Sequence, residues 1–525
     1  MVGAATPVHG MADLVRRAAA ATPDKAALLF HDQLITWAEL DARVDAAAAG
    51  LQQLGLTPGD RVGLRLGNTP EFVVAYFGLL RAALVAVPLG TGTTRHELHQ
   101  ALSDSGAAAL VVERSASDLA LATSAELPQL ATMVVCGPGE APAGAVDLEQ
   151  LLARGAEQGP VSTAAGGEQL AVLLYTSGTS GRPKGAMLSH RALLANLEQG
   201  AAIDPPVVGA DDVVLLVLPL FHVYGLNTAL GAVAHRGATG LLVPRFDPVD
   251  TLAAMARHAV SSVVGAPPMY VAWSMLPGVE APDEESGLAA SLQAAFASVR
   301  VAISGAAPLP AAAARRLREL TGRHVHEGYG LTETAPVLSS TLMSEAPTTG
   351  SIGQALPGVE LRLVDAEGAD VEEGDPGEIR ARGDNLFSGY WPDGDGGPDD
   401  DGWWSTGDVA YADAHGDLHL VDRTTELILV SGFNVYPREV EEVLTTHPDV
   451  AEAAVLGIPH PYTGSSVKAF VVLVPGARLS AEDVIAHAAR SLARFKCPTT
   501  VELVASLPHG VTGKVRKGQL REREA

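Results

Sequence analysis

Residues Leu174–Ser189 read LYTSGTSGRPKGAMLS, a short apolar run that enters a loop dense in Thr, Ser and Gly and ends on Pro183 and Lys184. Glycines let successive backbone N–H groups converge, hydroxyls add donors and the lysine adds charge, which together are the parts of a polyphosphate cradle. The loop is not a Walker A motif, because Gly178 and Gly181 precede a lysine that follows a proline rather than closing G-x-x-x-x-G-K-[ST]. A flexible Gly/Ser linker is the plain alternative. It accounts neither for the strand that feeds the loop nor for the Pro-Lys that ends it. Outward from this stretch, apolar strand-like runs at Leu110–Glu113, Met133–Cys136 and Val260–Val264 alternate with helical patterns such as Leu14–Ala21. That alternation predicts an α/β architecture with largely parallel sheets.

The chain has 525 residues, of which 47% are hydrophobic, enough for several domain-sized units at about 150 residues each. Its formal charge of −25 would repel a phosphate backbone, so nucleic acid is not an expected partner. Two cysteines, Cys136 and Cys497, cannot build a disulfide framework, which fits a cytoplasmic setting. No signal peptide is expected, and apolar runs such as Val213–Phe221 are too short for a transmembrane segment. The stretch Asp393–Asp401, DGDGGPDDD, reads as a solvated loop too acidic to pack. Beyond it the pattern becomes compact, with a helix at Pro437–Thr446, strands at Ala453–Gly457 and Val467–Val474, and a helix over Ala481–Arg494. This predicts a small α+β domain of roughly a hundred residues. The division falls at residues 1–423 and 424–525, within Asp422–Glu426.

Three further clusters carry chemistry. His326–Pro336, HEGYGLTETAP, sets Tyr329 between glycines, where its ring could stack on a flat base, and follows it with Thr332 and Glu333, suited to a phosphate and a hard divalent cation. Asp408 in STGDV and Arg423 in VDR are a hydroxyl acceptor and a phosphate partner. Lys514 follows a glycine in TGKVRK, a basic run near the end of an acidic protein. Each cluster alone is most simply a turn, a surface ion pair or a solvated charge.

In this order the motifs resemble the adenylate-forming superfamily, and most closely its fatty acyl-CoA synthetases. The resemblance runs through YTSGTSGRPKGAMLSH (175–190), PLFHVYGL (219–226), SGAAPL (304–309), GYGLTETAP (328–336), GEIRARGDNLFSGYW (377–391), STGD (405–408), ILVSGFNVYPREVE (428–441) and TGK (512–514). It implies a large N-terminal domain of mixed sheets packed with helices, a small mobile C-terminal domain and a cleft between them. It also implies two half-reactions. A carboxylic acid, fatty by resemblance, attacks MgATP to give acyl-AMP and pyrophosphate, and coenzyme A then displaces AMP.

Carried over residue by residue, Thr176, Ser177, Gly178, Thr179, Ser180, Gly181 and Lys184 would hold the β- and γ-phosphates, with Thr176 and Glu333 on the Mg²⁺ side. Gly305, Ala306, Ala307, Glu327, Gly328, Tyr329, Gly330 and Leu331 would hold adenine. Thr332 would touch the α-phosphate, Asp408 the ribose, and Arg423 the ribose or phosphate. Lys514, with Thr332 and Glu333, would form the catalytic group. His222, Val223 and Gly225 would lie at the acyl end, and Ser431, Gly432 and Phe433 would meet the pantetheine arm.

Thr425 stands where much of the family has an Asp or Lys as the hinge, and the segment Pro459–Ser466 lacks an acid that many members carry. The alternative outcomes within this chemistry are an acyl-AMP ligase or an amide synthetase with another acceptor. PLFHVYG lacks the aspartate with which amino-acid-activating relatives meet an ammonium group. A P-loop kinase is disfavoured by the lysine spacing, and a dead nucleotide sensor by the presence of Lys514, Glu333 and Thr332. A monomer or homodimer is expected, and chain length is not readable.

Overall fold

The computed structural model describes residues 8–161, 165–176, 183–276, 288–348, 350–372, 374–423, 428–430, 433–460, 464–510 and 513–523. Two large sheets form the body. One runs from Val146–Asp147 through Thr132–Cys136, Ala109–Glu113, Arg61–Arg65, Val85–Pro88 and Leu170–Thr176 to Lys184–Ser189. All pairings in it are parallel except the last, which is an antiparallel hairpin. The other sheet has at its centre the parallel strands Val301–Ser304, Ser262–Gly265, Val213–Leu216 and Thr239–Leu242. These strands are short continuous runs of Val, Leu, Ile and Ala buried along almost their whole length, as parallel strands covered on both faces must be. Between the sheets a single apolar core gathers Trp37, Phe72, Tyr76, Leu188, Leu215 and Val263.

A four-stranded antiparallel sheet follows, ending in Trp404–Ala412 and Leu418–Arg423. The next strand, Ile428–Val430, belongs instead to a five-stranded sheet with Phe433–Val435, Gly464–Leu473, Val450–His460 and Thr500–Leu503. This sheet has its own core, in which Val435, Val440, Leu444, Val455 and Val471 are buried. The molecule is therefore α/β, with a large N-terminal part and a smaller α+β C-terminal part. Among the described residues no helix is long and apolar enough to cross a membrane.

One sequence expectation is corrected here. The helix predicted over Ala481–Arg494 ends at Ala488. The following AARSLARFK has helical propensity, but Leu492, Phe495 and Cys497 turn in to pack on the C-terminal core, and that burial outweighs propensity. The acidic stretch Asp393–Asp401 is an exposed loop, as expected, with every aspartate in it exposed. The Asp399 carboxylate accepts from the N–H groups of Asp401 and Trp403 at 3.1 and 2.8 Å, and the Trp404 indole donates to the Gly396 carbonyl at 2.9 Å. Aspartates that satisfy their own backbone build an ordered turn within that solvated loop.

Candidate active site

The strand Leu170–Thr176 pairs with Lys184–Ser189 so that Thr176 faces Lys184 and Tyr175 faces Gly185. The hairpin flows straight into the helix His190–Ala201, whose N-cap is the Ser189 hydroxyl accepting from the Ala192 N–H at 3.1 Å. Its base is held by the Tyr175 hydroxyl donating to Asp104 at 2.6 Å and the Trp391 N–H donating to the Gly185 carbonyl at 2.8 Å. Ser177, Gly178, Thr179, Ser180 and Gly181 lie outside the described residues. Thr176 and Lys184, the loop's two described ends, both line a cavity of about 1220 Å³.

Thr332 and Glu333 enter the same cavity from a short helix, Thr332–Thr334, more than a hundred residues further on. Glu333 is 7% exposed, and its Oε1 accepts from the Tyr390 hydroxyl at 2.7 Å. The Lys184 ammonium sits over the Tyr390 ring, 5.0 Å from its centre. Tyr390 thus bridges the lysine and the carboxylate. The sequence reading gave it no role, although GYW inside GEIRARGDNLFSGYW was the available signal.

Gly305, Ala306, Gly328, Tyr329, Gly330 and Leu331 also line the cavity. A Cβ on Gly305 would lie 2.9 Å from the Tyr224 ring, so only glycine fits beneath that tyrosine. Ala306 has φ +71°, a left-handed conformation that costs an alanine about 1–2 kcal/mol. Ala307, half-buried, follows it in the same turn. The Glu327 carboxylate accepts from the Leu309 N–H at 3.1 Å and so ties the Ser304–Leu309 turn to the strand Val325–Gly330. Burial pushes that carboxyl up. Asp408 is buried and accepts from the Tyr329 hydroxyl at 2.7 Å, coupling the expected ribose and adenine residues directly. Asp408 and Arg423 are opposite one another in register on neighbouring strands, although the sequence separates them by a loop.

Lys514 reaches the cavity from the C-terminal part, on a loop closed by the Gly510 N–H donating to the Lys514 carbonyl at 2.7 Å. Gly513 before it has φ +82°, and a Cβ there would lie 2.4 Å from Cγ of Pro268 in the large part. The position needs glycine twice over, for its backbone angle and for this approach. Phe433 opens the strand Phe433–Val435, whereas Ser431, Gly432 and the hinge residue Thr425 lie outside the described residues.

At the opposite end His222 and Val223 line the cavity, and burial pushes the His222 imidazole down, keeping it neutral. Gly225 is not among the lining residues, and a Cβ there would meet the Pro219 carbonyl oxygen at 2.4 Å, so the turn beside His222 needs glycine. Beyond His222 the cavity continues between the helix His190–Ala201 and the helix that begins as a π-turn at Tyr224–Gly231 and continues as Ala232–Arg236.

The fold thus brings Thr176, Lys184, Thr332, Glu333 and, from the C-terminal part, Lys514 to one cleft, with an arm leading away past His222. Comparison with known proteins makes the class definite. The AMP-binding enzyme family matches residues 15–391, and the AMP-binding enzyme C-terminal domain matches 439–514. A long-chain-fatty-acid–CoA ligase of Yersinia pestis is 35% identical over 98% of this chain and 94% of its own length. A feruloyl-CoA synthase of an Amycolatopsis species is 34% identical over 98% and 99%. Among solved structures, ATP-bound MatB of Rhodopseudomonas palustris superposes with a TM-score of 0.87 at 34% identity, covering 98% of each chain. Its apo form, with the same coverage, gives 0.76. The chain belongs to this family of AMP-binding, adenylate-forming acid–CoA ligases.

Proposed function

We propose that the enzyme activates an aliphatic carboxylic acid with ATP and passes it to coenzyme A. In the first half-reaction a carboxylate oxygen attacks the α-phosphorus, the bond to pyrophosphate breaks, and acyl-AMP forms. In the second the coenzyme A thiol attacks the acyl carbon, AMP leaves, and a thioester forms. The observation that carries this reading is the meeting of Thr176, Lys184, Thr332, Glu333 and Lys514 in one cavity, although they lie hundreds of residues apart in the chain. Attack of one anion on a polyanion is governed by charge and positioning, which cations and oriented donors supply.

In this reading Lys184 and the Ser177–Gly181 loop hold the terminal phosphates, Thr332 and Lys514 face the α-phosphate, and Tyr329 with Asp408 orients the nucleoside. The Thr176 hydroxyl and the Glu333 carboxylate are hard oxygen donors of the kind Mg²⁺ takes, and the tyrosine that bonds Glu333 aims it. Among the described residues no cluster of three or more His, Cys, Asp or Glu is placed to hold a metal, so the phosphates would supply most of the remaining ligands. Bound there, Mg²⁺ would neutralise charge on the phosphate oxygens. The enzyme needs no nucleophile of its own, since the leaving group is carried by the substrate.

We also propose that residues 1–423 and 424–525 are the two moving parts and that the chain pivots at Thr425. The change of sheet between Leu418–Arg423 and Ile428–Val430 supports that division, as does the greater likeness to a relative's ATP-bound form than to its apo form. Rotation would carry Lys514 out and bring Ser431, Gly432 and Phe433 towards the pantetheine arm. Two free thiols, Cys136 and Cys497, support a cytoplasmic setting. The test is a panel of aliphatic and aromatic acids with ATP, with and without coenzyme A, scored for AMP and thioester. ADP as product, or AMP release with no dependence on a carboxylic acid, would overturn the reading.

A further inference from the structure

The apolar arm of the cavity ends on charge. Along the second helix Tyr224, Thr228, Ala232 and Arg236 recur every four residues and all line the arm, so one face forms its wall. The opposite wall is the helix His190–Ala201, where a Cβ placed on Gly200 meets nothing within 4 Å. Glycine and alanine thus open a slot between two helices, floored by Ile203 and Val208. From Tyr224 to Arg236 the helix rises about 15–18 Å, the reach of roughly a dozen extended carbons.

A slot for a plain alkyl chain should be apolar throughout, yet this one carries two polar atoms that are fully buried and unpartnered, Oγ1 of Thr228 and Nε of Arg236. Arg236 makes no hydrogen bond or ion pair among the described residues. Around it the field is positive. Arg17 donates to the His235 carbonyl at 2.6 Å, the Arg17 and Arg236 guanidiniums repel one another, and burial with both arginines pushes His235 down to about 4. Glu198, the acid acting on this group, acts on Arg17. A methyl terminus would leave the buried Nε of Arg236 without a partner, whereas an oxygen anion would satisfy it with a charge-assisted bond.

We propose that the acids this enzyme prefers carry a second carboxylate at the end remote from the one it activates, and that Arg236 is the residue that recognises it. The proposal rests on the reading of the enzyme as an aliphatic acid–CoA ligase and names the substrate class within it. Thr228, halfway along, adds a hydroxyl that tolerates an oxygenated chain.

The test uses the purified full chain with ATP, Mg²⁺ and coenzyme A. Saturated monocarboxylic, ω-hydroxy and α,ω-dicarboxylic acids of about eight to fourteen carbons, the span set by the slot length, are ranked by kcat/KM for thioester formation. The diacid is expected to exceed the monoacid of matched length by at least tenfold at the best length, with the ω-hydroxy acid between them. Arg236→Met should lower the diacid-to-monoacid ratio at least tenfold, and Arg236→Lys should recover part of it. Thr228→Val, a milder change in the same slot, should shift the ratio towards monoacids. A parent enzyme that prefers monoacids at every length overturns the proposal without any variant, and so does an Arg236→Met ratio equal to the parent's. If only aromatic acids are turned over, the aliphatic reading itself fails and this inference with it. Turnover of monoacids but not diacids sinks this inference alone.

Discussion

The two ends of the cavity are built on opposite plans. At the proposed phosphate end short loops and a hairpin supply the groups, and partners within the protein hold several of them, as in the chain from Lys184 over Tyr390 to Glu333. At the proposed acyl end two helices supply faces that include small residues, and two buried polar atoms, Oγ1 of Thr228 and Nε of Arg236, have no hydrogen-bond partner. The first plan fixes geometry in advance for a reaction whose charges are known, and such preorganisation is where electrostatic catalysis originates. The second leaves space and tolerates variation, as a specificity pocket must. The difference teaches that changes at one end should alter rate, and at the other the choice of acid.

The strongest way to break that division is Lys514→Ala. Adenylation should slow by two to three orders of magnitude, about 3–4 kcal/mol of lost stabilisation, while thioester formation from supplied acyl-AMP keeps its rate. ATP–pyrophosphate exchange and single-turnover thioesterification measure the two steps, and an equal loss in both would remove Lys514 from the first step alone. Next comes Thr425→Pro, which fixes φ near about −65° and removes an N–H. Pyrophosphate release should persist and acyl-CoA formation fall by more than tenfold. Acyl-CoA at the parental rate would place the pivot elsewhere.

A smaller effect is expected of Tyr390→Phe. It removes one bond to a charged carboxylate, worth about 1.5–3 kcal/mol, and should raise the Mg²⁺ concentration for half-maximal rate by roughly tenfold or more. Glu333→Ala should move it further in the same direction, and a Mg²⁺ titration that leaves both variants unchanged would take this pair out of the metal site. At the acyl end Gly200→Leu should fill the open space and move the preferred chain length down by several carbons, with ATP–pyrophosphate exchange for the shortest acids largely kept. Chain-length preference that does not move would show that the acid runs elsewhere. The smallest change is Ala306→Gly, which relieves a left-handed alanine and should stabilise the large part by about 0.5–1 kcal/mol in denaturant unfolding.

The same contrast explains what the sequence made legible. Contiguous motifs announced the phosphate end because a turn that binds phosphate needs particular residues at particular offsets, as at Thr176, Lys184, Thr332 and Glu333. Tyr390 was missed because it acts through two neighbours far away in the chain. What Gly225 does was not legible, since a glycine needed for a close backbone approach is indistinguishable in sequence from one that opens a pocket. The acyl slot left almost no trace: Gly200, Thr228 and Ala232 are ordinary helix residues whose meaning lies only in which helix they face. Parallel strands such as Ala109–Glu113 were readable from uniform burial, whereas the end of the helix at Ala488 depended on a tertiary core that local propensity does not see.

The approach of Gly513 to Pro268 has a consequence for timing. The loop that carries Lys514 meets the large part through bare backbone on a proline ring, with neither charge nor hydrogen bond between these two residues to be resolvated on parting. Such a contact is short-ranged, so most of its attraction is gone within an ångström of separation. It works as a detent rather than a lock, giving a sharply defined stop in one direction and little resistance in the other. With the rotation proposed above, an enzyme that abandons its first geometry once per turnover would gain more from an accurate stop than from a strong grip.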